Sequence, residues 1–169
     1  MHFFSATINS WQPLLQNDNL KLIMIDSFDW LVKNKRVNIH AFVIMPNHIH
    51  LLWTRAETYE INEINNDMLS FTGHAFKKYL LVHNPEILKN YISTQGDRDY
   101  HFWERRPRTI EVMRRDIAIQ KLEYIHNNPI KEKWGLANFP EEYFFSSAAY
   151  YFNDSKQFTF LSHVFDFID

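Results

Sequence analysis

The chain has 169 residues, 46% hydrophobic and 17% aromatic, with no cysteine, three glycines and a formal charge of −2. That size and apolar content suit one packed domain over 1–169 and argue against disorder. Disulfide scaffolds, thiolate metal sites, cysteine nucleophiles and glycine-rich phosphate loops are excluded, and mild acidity confines any polyanion site to a local patch.

No signal peptide is read at the start, and no apolar run nears the ~18 residues of a membrane span. A cytoplasmic, reducing location with no membrane partner is expected. Phe3 to Ile8 alternates as a first strand. Asn17, Asp18 and Asn19 offer caps to a helix reaching Lys35, with Leu20, Ile23, Met24, Leu31 and Val32 on a helical period. Ile39 to Met45 reads as the second strand, Pro46-Asn47 as a tight turn and His48 to Thr54 as the third strand of an antiparallel hairpin. Residues 60–83 form a long helix with Leu69, Phe76, Leu80 and Leu81 as core candidates. Residues 93–99 are a polar loop. Tyr100–Trp103 and Thr109–Val112 are short strand candidates. Met113 to Asn128 is the third helix, ended by Pro129. The tail 134–169 is aromatic and irregular, with Phe158–Leu161 a strand candidate. This order predicts an α+β fold, a ferredoxin-like antiparallel sheet with helices packed on one face.

His48 and His50 flank Ile49 in the third strand. Alternation puts both imidazoles on one face, with Cα atoms about 7 Å apart. Two ring nitrogens can meet one cation there and leave room for a third ligand. The spacing alone leaves ordinary surface or core histidines equally open. Tyr124 and Asn128, at i and i+4, lie about 40° apart around a helix. A packed ring with a wet hydroxyl, and a helix-ending asparagine, are the plain alternatives. The chemical reading makes Asn128 a third metal ligand and Tyr124 a nucleophile. A free phenol has a pKa near 10, so ionising it at pH 7 costs roughly 4 kcal/mol. A nearby divalent cation lowers that cost and polarises a phosphoryl oxygen.

Residues 98–121 hold seven cations, Arg98, Arg105, Arg106, Arg108, Arg114, Arg115 and Lys121, against four acids. Phe102 and Trp103 adjoin them. Phosphates paired to cations and bases stacked on rings are what a nucleic-acid single strand needs. A solvated charge cluster is the alternative.

Val43-Ile44-Met45-Pro46-Asn47-His48-Ile49-His50-Leu51-Leu52 resembles the HUH block of the IS200-like tyrosine transposases, especially the REP-associated branch. Tyr124-Ile125-His126-Asn127-Asn128-Pro129 resembles that branch's tyrosine-helix signature. Phe102-Trp103-Glu104, and Tyr143 with Ser146-Ser147, resemble the blocks between and after. The resemblance spans nearly the whole chain. It implies a ferredoxin-like transposase acting on single-stranded or hairpin DNA. It implies His48, His50 and Asn128 as ligands of Mg2+ or Mn2+, with asparagine standing where the insertion-sequence branch uses glutamine. It implies Tyr124 as the nucleophile of a 5′-phosphotyrosine intermediate that frees a 3′-hydroxyl. Two rival functions stand beside it: a domesticated hairpin-DNA-binding protein without transposition, and a metal-dependent phosphodiesterase using water. The tyrosine helix could dock on its own sheet or be exchanged in a homodimer through a hinge at Thr109 to Arg115.

Overall fold

A computed structural model describes residues 1–94, 96 and 99–168. Arg98 of the basic segment lies outside the described residues. The chain runs β1 (His2–Thr7), α1 (Asp18–Lys33), β2 (Val37–Met45), β3 (His48–Arg55), α2 (Ile61–His83), α3 (Pro85–Lys89), β4 (Arg108–Glu111), α4 (Arg115–His126) and α5 (Ala148–Phe152). The four strands form one sheet in the order β2-β3-β1-β4, every neighbouring pair antiparallel. With the one-turn helix α3 set aside, the chain through β4 follows strand, helix, strand, strand, helix, strand, which is the ferredoxin-like α+β arrangement. No helix is long and apolar enough to cross a membrane among the described residues.

Strand alternation decides what each sheet face meets. Phe42, Ile44, Ile49 and Leu51 share one face and are buried. Helix α1 lays Leu20, Met24, Phe28 and Leu31 against that face at three-to-four spacing, and the Phe28 and Phe42 rings meet at 5.5 Å. Asn17 caps α1 by accepting from Asn19 N at 2.9 Å, which stabilises the helix by about 1 kcal/mol. Helix α2 buries Ile64, Met68, Phe76 and Leu80 and joins β4 through Asn65 Nδ2 donating to Thr109 Oγ1 at 3.1 Å. Thus α1 and α2 cover one face, as the sequence predicts. The later helix α4 crosses the opposite face, where Phe3 of β1 and His50 of β3 meet the Tyr124 ring.

Several local expectations need correction. Leu81 is 52% exposed, because the buried stripe of α2 runs through Phe76 and Leu80 instead. Tyr100–Trp103 is not a strand; it makes only isolated bridges, Ile92 with Tyr100 and Ile8 with Trp103. Its rings explain this: Tyr91 and Phe102 stack at 5.0 Å, and ring packing replaces a ladder. Phe158–Leu161 likewise gives a single bridge, Ile39 with Leu161. Thr109 to Glu111 lies in β4, paired to β1, so little of the suggested hinge is free to swing.

The tail closes the outer edge of β2. Tyr143 donates to Ile44 O at 2.8 Å, Ser147 Oγ to Phe42 O at 3.2 Å and Tyr151 to His40 O at 2.9 Å. Hydroxyls four residues apart thus satisfy alternate carbonyls of an otherwise open strand edge. Ser147 Oγ also accepts from Phe42 N at 3.0 Å. The same hydroxyl shares a hydrogen bond with His126 Nε2 at 2.8 Å. The end of α4 is thereby tied to the β2 edge.

Candidate active site

The site lies on the sheet face under α4. The register sets the small side chains Ser5 opposite His50 and Thr7 opposite His48. The histidine rings stand 4.8 Å apart, and His50 stacks on Phe3 at 5.3 Å. Both ring nitrogens of His50 are buried without a hydrogen-bond partner. Leaving such a group unsatisfied costs roughly 1–3 kcal/mol, a debt that a bound ligand removes. Burial pushes His50 down to about 3, with the charges of His48, Lys131 and Lys121 adding to it. Burial, then Lys133 and Lys131, hold His48 at about 4. Both rings are therefore neutral at physiological pH, the form that binds a metal.

The tautomer of His48 follows from its neighbours. Asn47 Nδ2 donates to Trp11 O at 3.1 Å. The amide oxygen must then face the other way, and it lies 2.7 Å from His48 Nδ1. Only a protonated Nδ1 makes that contact favourable, so the lone pair sits on His48 Nε2.

Helix α4 ends at His126, with Asn127 as its C-cap. Asn128 therefore lies beyond the helix that was expected to include it. Its backbone N still bonds Ile125 O at 3.3 Å, a tight last turn that keeps it on the Tyr124 side. Asn128 is 2% exposed, and its Nδ2 has no partner. The Tyr124 ring lies 5.1 Å from His50 and 6.0 Å from Phe3. The tyrosine helix docks on its own sheet, so one chain carries the whole arrangement. His48, His50, Tyr124 and Asn128 line one cleft of about 430 Å³. His48 Nε2 and an unpartnered ring nitrogen of His50 fit a divalent ion, and Asn128 would add its amide oxygen, because its unpartnered Nδ2 donates and has no lone pair to give. With no carboxylate among them, such an ion keeps its full charge for an anionic substrate.

Among solved structures, a REP-associated tyrosine transposase bound to a REP hairpin matches with a TM-score of 0.64 over 86% of this chain and 74% of that one, at 17% identity. The chain has the fold of that transposase. A protein described as a transposase from Deinococcus radiodurans R1 matches more loosely, with a TM-score of 0.44, 19% identity, 75% of this chain and 88% of that chain. The chain matches no protein-family model and no curated protein.

On this transposase fold the basic segment divides. Arg108 and Lys121 line the cleft beside Tyr124. Arg114 instead pairs with its neighbour Asp116, Nε to Oδ1 at 2.9 Å. Arg115 lies 4.2 Å over the Phe165 ring. Both sit at the far end of α4, about 14 Å along its axis from Tyr124 at 1.5 Å per residue. Arg106 is exposed, and Arg105 lines a separate cavity of about 700 Å³ beside α2. Trp103 is a correction. Its indole is 6% exposed and donates to Thr72 Oγ1 at 3.1 Å, so it belongs to the core and offers no face to a base. The inward-facing Thr72, which also donates to Met68 O at 2.9 Å, serves that same contact.

Sequence reasoning missed Lys131, Lys133, Trp134 and Trp11, all lining the cleft. Lys131 Nζ lies 4.1 Å from the Tyr124 ring centroid. Trp134 leans on His48 at 5.7 Å and carries Lys133 Nζ at 4.7 Å. The signal was there: Lys131-Glu132-Lys133-Trp134 comes one residue after Asn128-Pro129 and joins cations to an aromatic ring.

Proposed function

We propose that this chain is a tyrosine transposase of the REP-associated, IS200-like type, cleaving and joining single-stranded or hairpin DNA through Tyr124. The observation that carries the reading is the Tyr124 ring 5.1 Å from an imidazole whose two nitrogens have no partner. A nucleophile candidate beside a set of candidate metal ligands, in a cleft rich in cations, suits attack on a phosphodiester.

The phenol oxygen forms a bond to phosphorus and its proton passes to solvent. The bond from phosphorus to the 3′ oxygen breaks, and that oxygen leaves as a 3′-hydroxyl after taking a proton from water. The product is a 5′-phosphotyrosine. It conserves the diester linkage, so rejoining needs no nucleotide cofactor. Arg108, Lys121, Lys131 and Lys133 hold the anionic strand against the cleft. Phe3 and His50 orient the Tyr124 ring on the sheet. His48, His50 and Asn128 would hold a magnesium or manganese ion, which supplies charge stabilisation at the phosphoryl oxygens when bound.

The test is covalent capture. The protein is mixed with a foldback oligonucleotide bearing single-stranded flanks and with Mg2+ or Mn2+, then run on a denaturing gel. A protein–DNA adduct is expected for the natural chain and none for Tyr124→Phe, which still binds the DNA. An adduct that survives Tyr124→Phe removes Tyr124 as nucleophile. Strand cutting that never yields an adduct points to water as the nucleophile instead.

A further inference from the structure

Ser10 and Trp11 carry φ angles of 56° and 57°. Two consecutive residues with side chains in the left-handed region are strained, and such strain persists only where the surroundings enforce it. Here three hydrogen bonds do so. Ser10 N donates to Glu104 Oε1 at 2.8 Å, Trp11 N to Ile8 O at 2.9 Å and Asn47 Nδ2 to Trp11 O at 3.1 Å. The kink does nothing for the core, because the Trp11 indole is left 62% exposed. It holds that indole on the rim of the cleft containing His48, His50 and Tyr124. Among the described residues no ring or cation packs on Trp11, whereas Trp134 is already taken by His48 and Lys133.

The charge around the cleft says what kind of ligand meets that indole. Arg108, Lys121, Lys131 and Lys133 line it and, among the described residues, no carboxylate does, in a chain whose formal charge is −2. The occupant is anionic and has a flat apolar face to offer. A nucleotide in a single strand meets both demands, with phosphates on the cations and a base on the indole.

We propose that Trp11 is a nucleobase-stacking residue that seats one unpaired base of the DNA strand beside the Tyr124 cleft. This rests on the cleft being a DNA site. Because the same Asn47 amide grips the Trp11 carbonyl and orients His48, the stacked base is held in fixed register with the imidazole pair.

The test is fluorescence anisotropy in a Tyr124→Phe background, so that no strand is cut. The probes are fluorescein-labelled oligonucleotides, both single-stranded and foldback with single-stranded flanks, and copies carrying one abasic site walked along the unpaired strand. Trp11→Ala weakens binding roughly tenfold, and Trp11→Phe recovers most of it. The dependence on salt stays the same, since no phosphate contact is lost. Trp11→Gly, which relieves the left-handed φ, loses the same binding while the melting temperature rises. At one strand position, removing the base costs the Trp11 protein several-fold and the Trp11→Ala protein nothing more. Trp103→Phe, altered in the core, leaves affinity unchanged. If Trp11→Ala binds as tightly as its parent, or loses the same factor at every abasic position, the stack does not exist. Failure of the parent to bind any strand overturns the DNA reading as well, so the two failures are told apart.

Discussion

The ammonium of Lys131 lies 4.1 Å from the ring centroid of Tyr124. The ring is 43% exposed, so this cation–π contact braces a side chain that the sheet alone covers only in part. Such a contact stabilises by roughly 0.5–2 kcal/mol. It also brings a positive charge to the place where, on the proposed function, a phosphodiester would approach.

Lys131→Ala is therefore expected to slow adduct formation at saturating DNA by roughly tenfold. The slope of log affinity against log salt shrinks by about 0.7, the release expected from one single-strand phosphate contact. Rapid-quench sampling of the adduct and anisotropy titrations at several salt concentrations check the two effects. An unchanged adduct rate in Lys131→Ala rejects the bracing role.

Asn47 is expected to control metal affinity without being a ligand. Its amide fixes the proton on His48 Nδ1 and so leaves Nε2 free. Asn47→Leu removes that orientation and should weaken Mn2+ binding about tenfold to a hundredfold, the usual cost of losing such a partner. Titration of bound Mn2+ by electron paramagnetic resonance reads this directly and needs no DNA. Equal affinity in Asn47→Leu would show that the ring is oriented by other means.

Stability should fall in mild acid, and two buried histidines say over which range. Burial lowers His40 and His126 from 6.5 to about 4. Between these values the unfolded chain binds the protons and the folded chain does not, so stability declines as pH falls from 6.5 toward 4. Each residue contributes a loss of about 3 kcal/mol across that window and none above it. Urea midpoints taken at intervals from neutral to acid pH measure the slope. His126→Gln, whose amide can still hydrogen-bond to Ser147 Oγ, should flatten its share; an unaltered slope excludes His126 as a source.

The regular elements were legible because burial on one side imposes a period. The alternation of β3 and the helical stripe of α1 survive in the structure with boundaries shifted by a residue or two. His48 and His50 read as a same-face pair because strand geometry admits nothing else. The basic segment was less legible. Arg108 and Arg115 look alike in the sequence, yet one lines the cleft and the other stacks on Phe165 at the far end of α4. Trp103 read as a base-stacking ring because its hydrogen bond to Thr72, 31 residues earlier, leaves no local trace.

Local patterning by itself determined the strand carrying the imidazole pair, the helix carrying Tyr124 and the succession of strands and helices along the chain, since each depends on side-chain periodicity within a short stretch. Only the tertiary structure decided that α4 takes the face opposite α1 and α2, that Tyr124 meets His50 within one chain, and that Trp11 and Lys131 join them. Apart from Lys131, which follows Tyr124 by seven residues, those contacts link residues tens of positions apart, and they are selected by how whole faces pack and pair rather than by anything a neighbouring residue dictates.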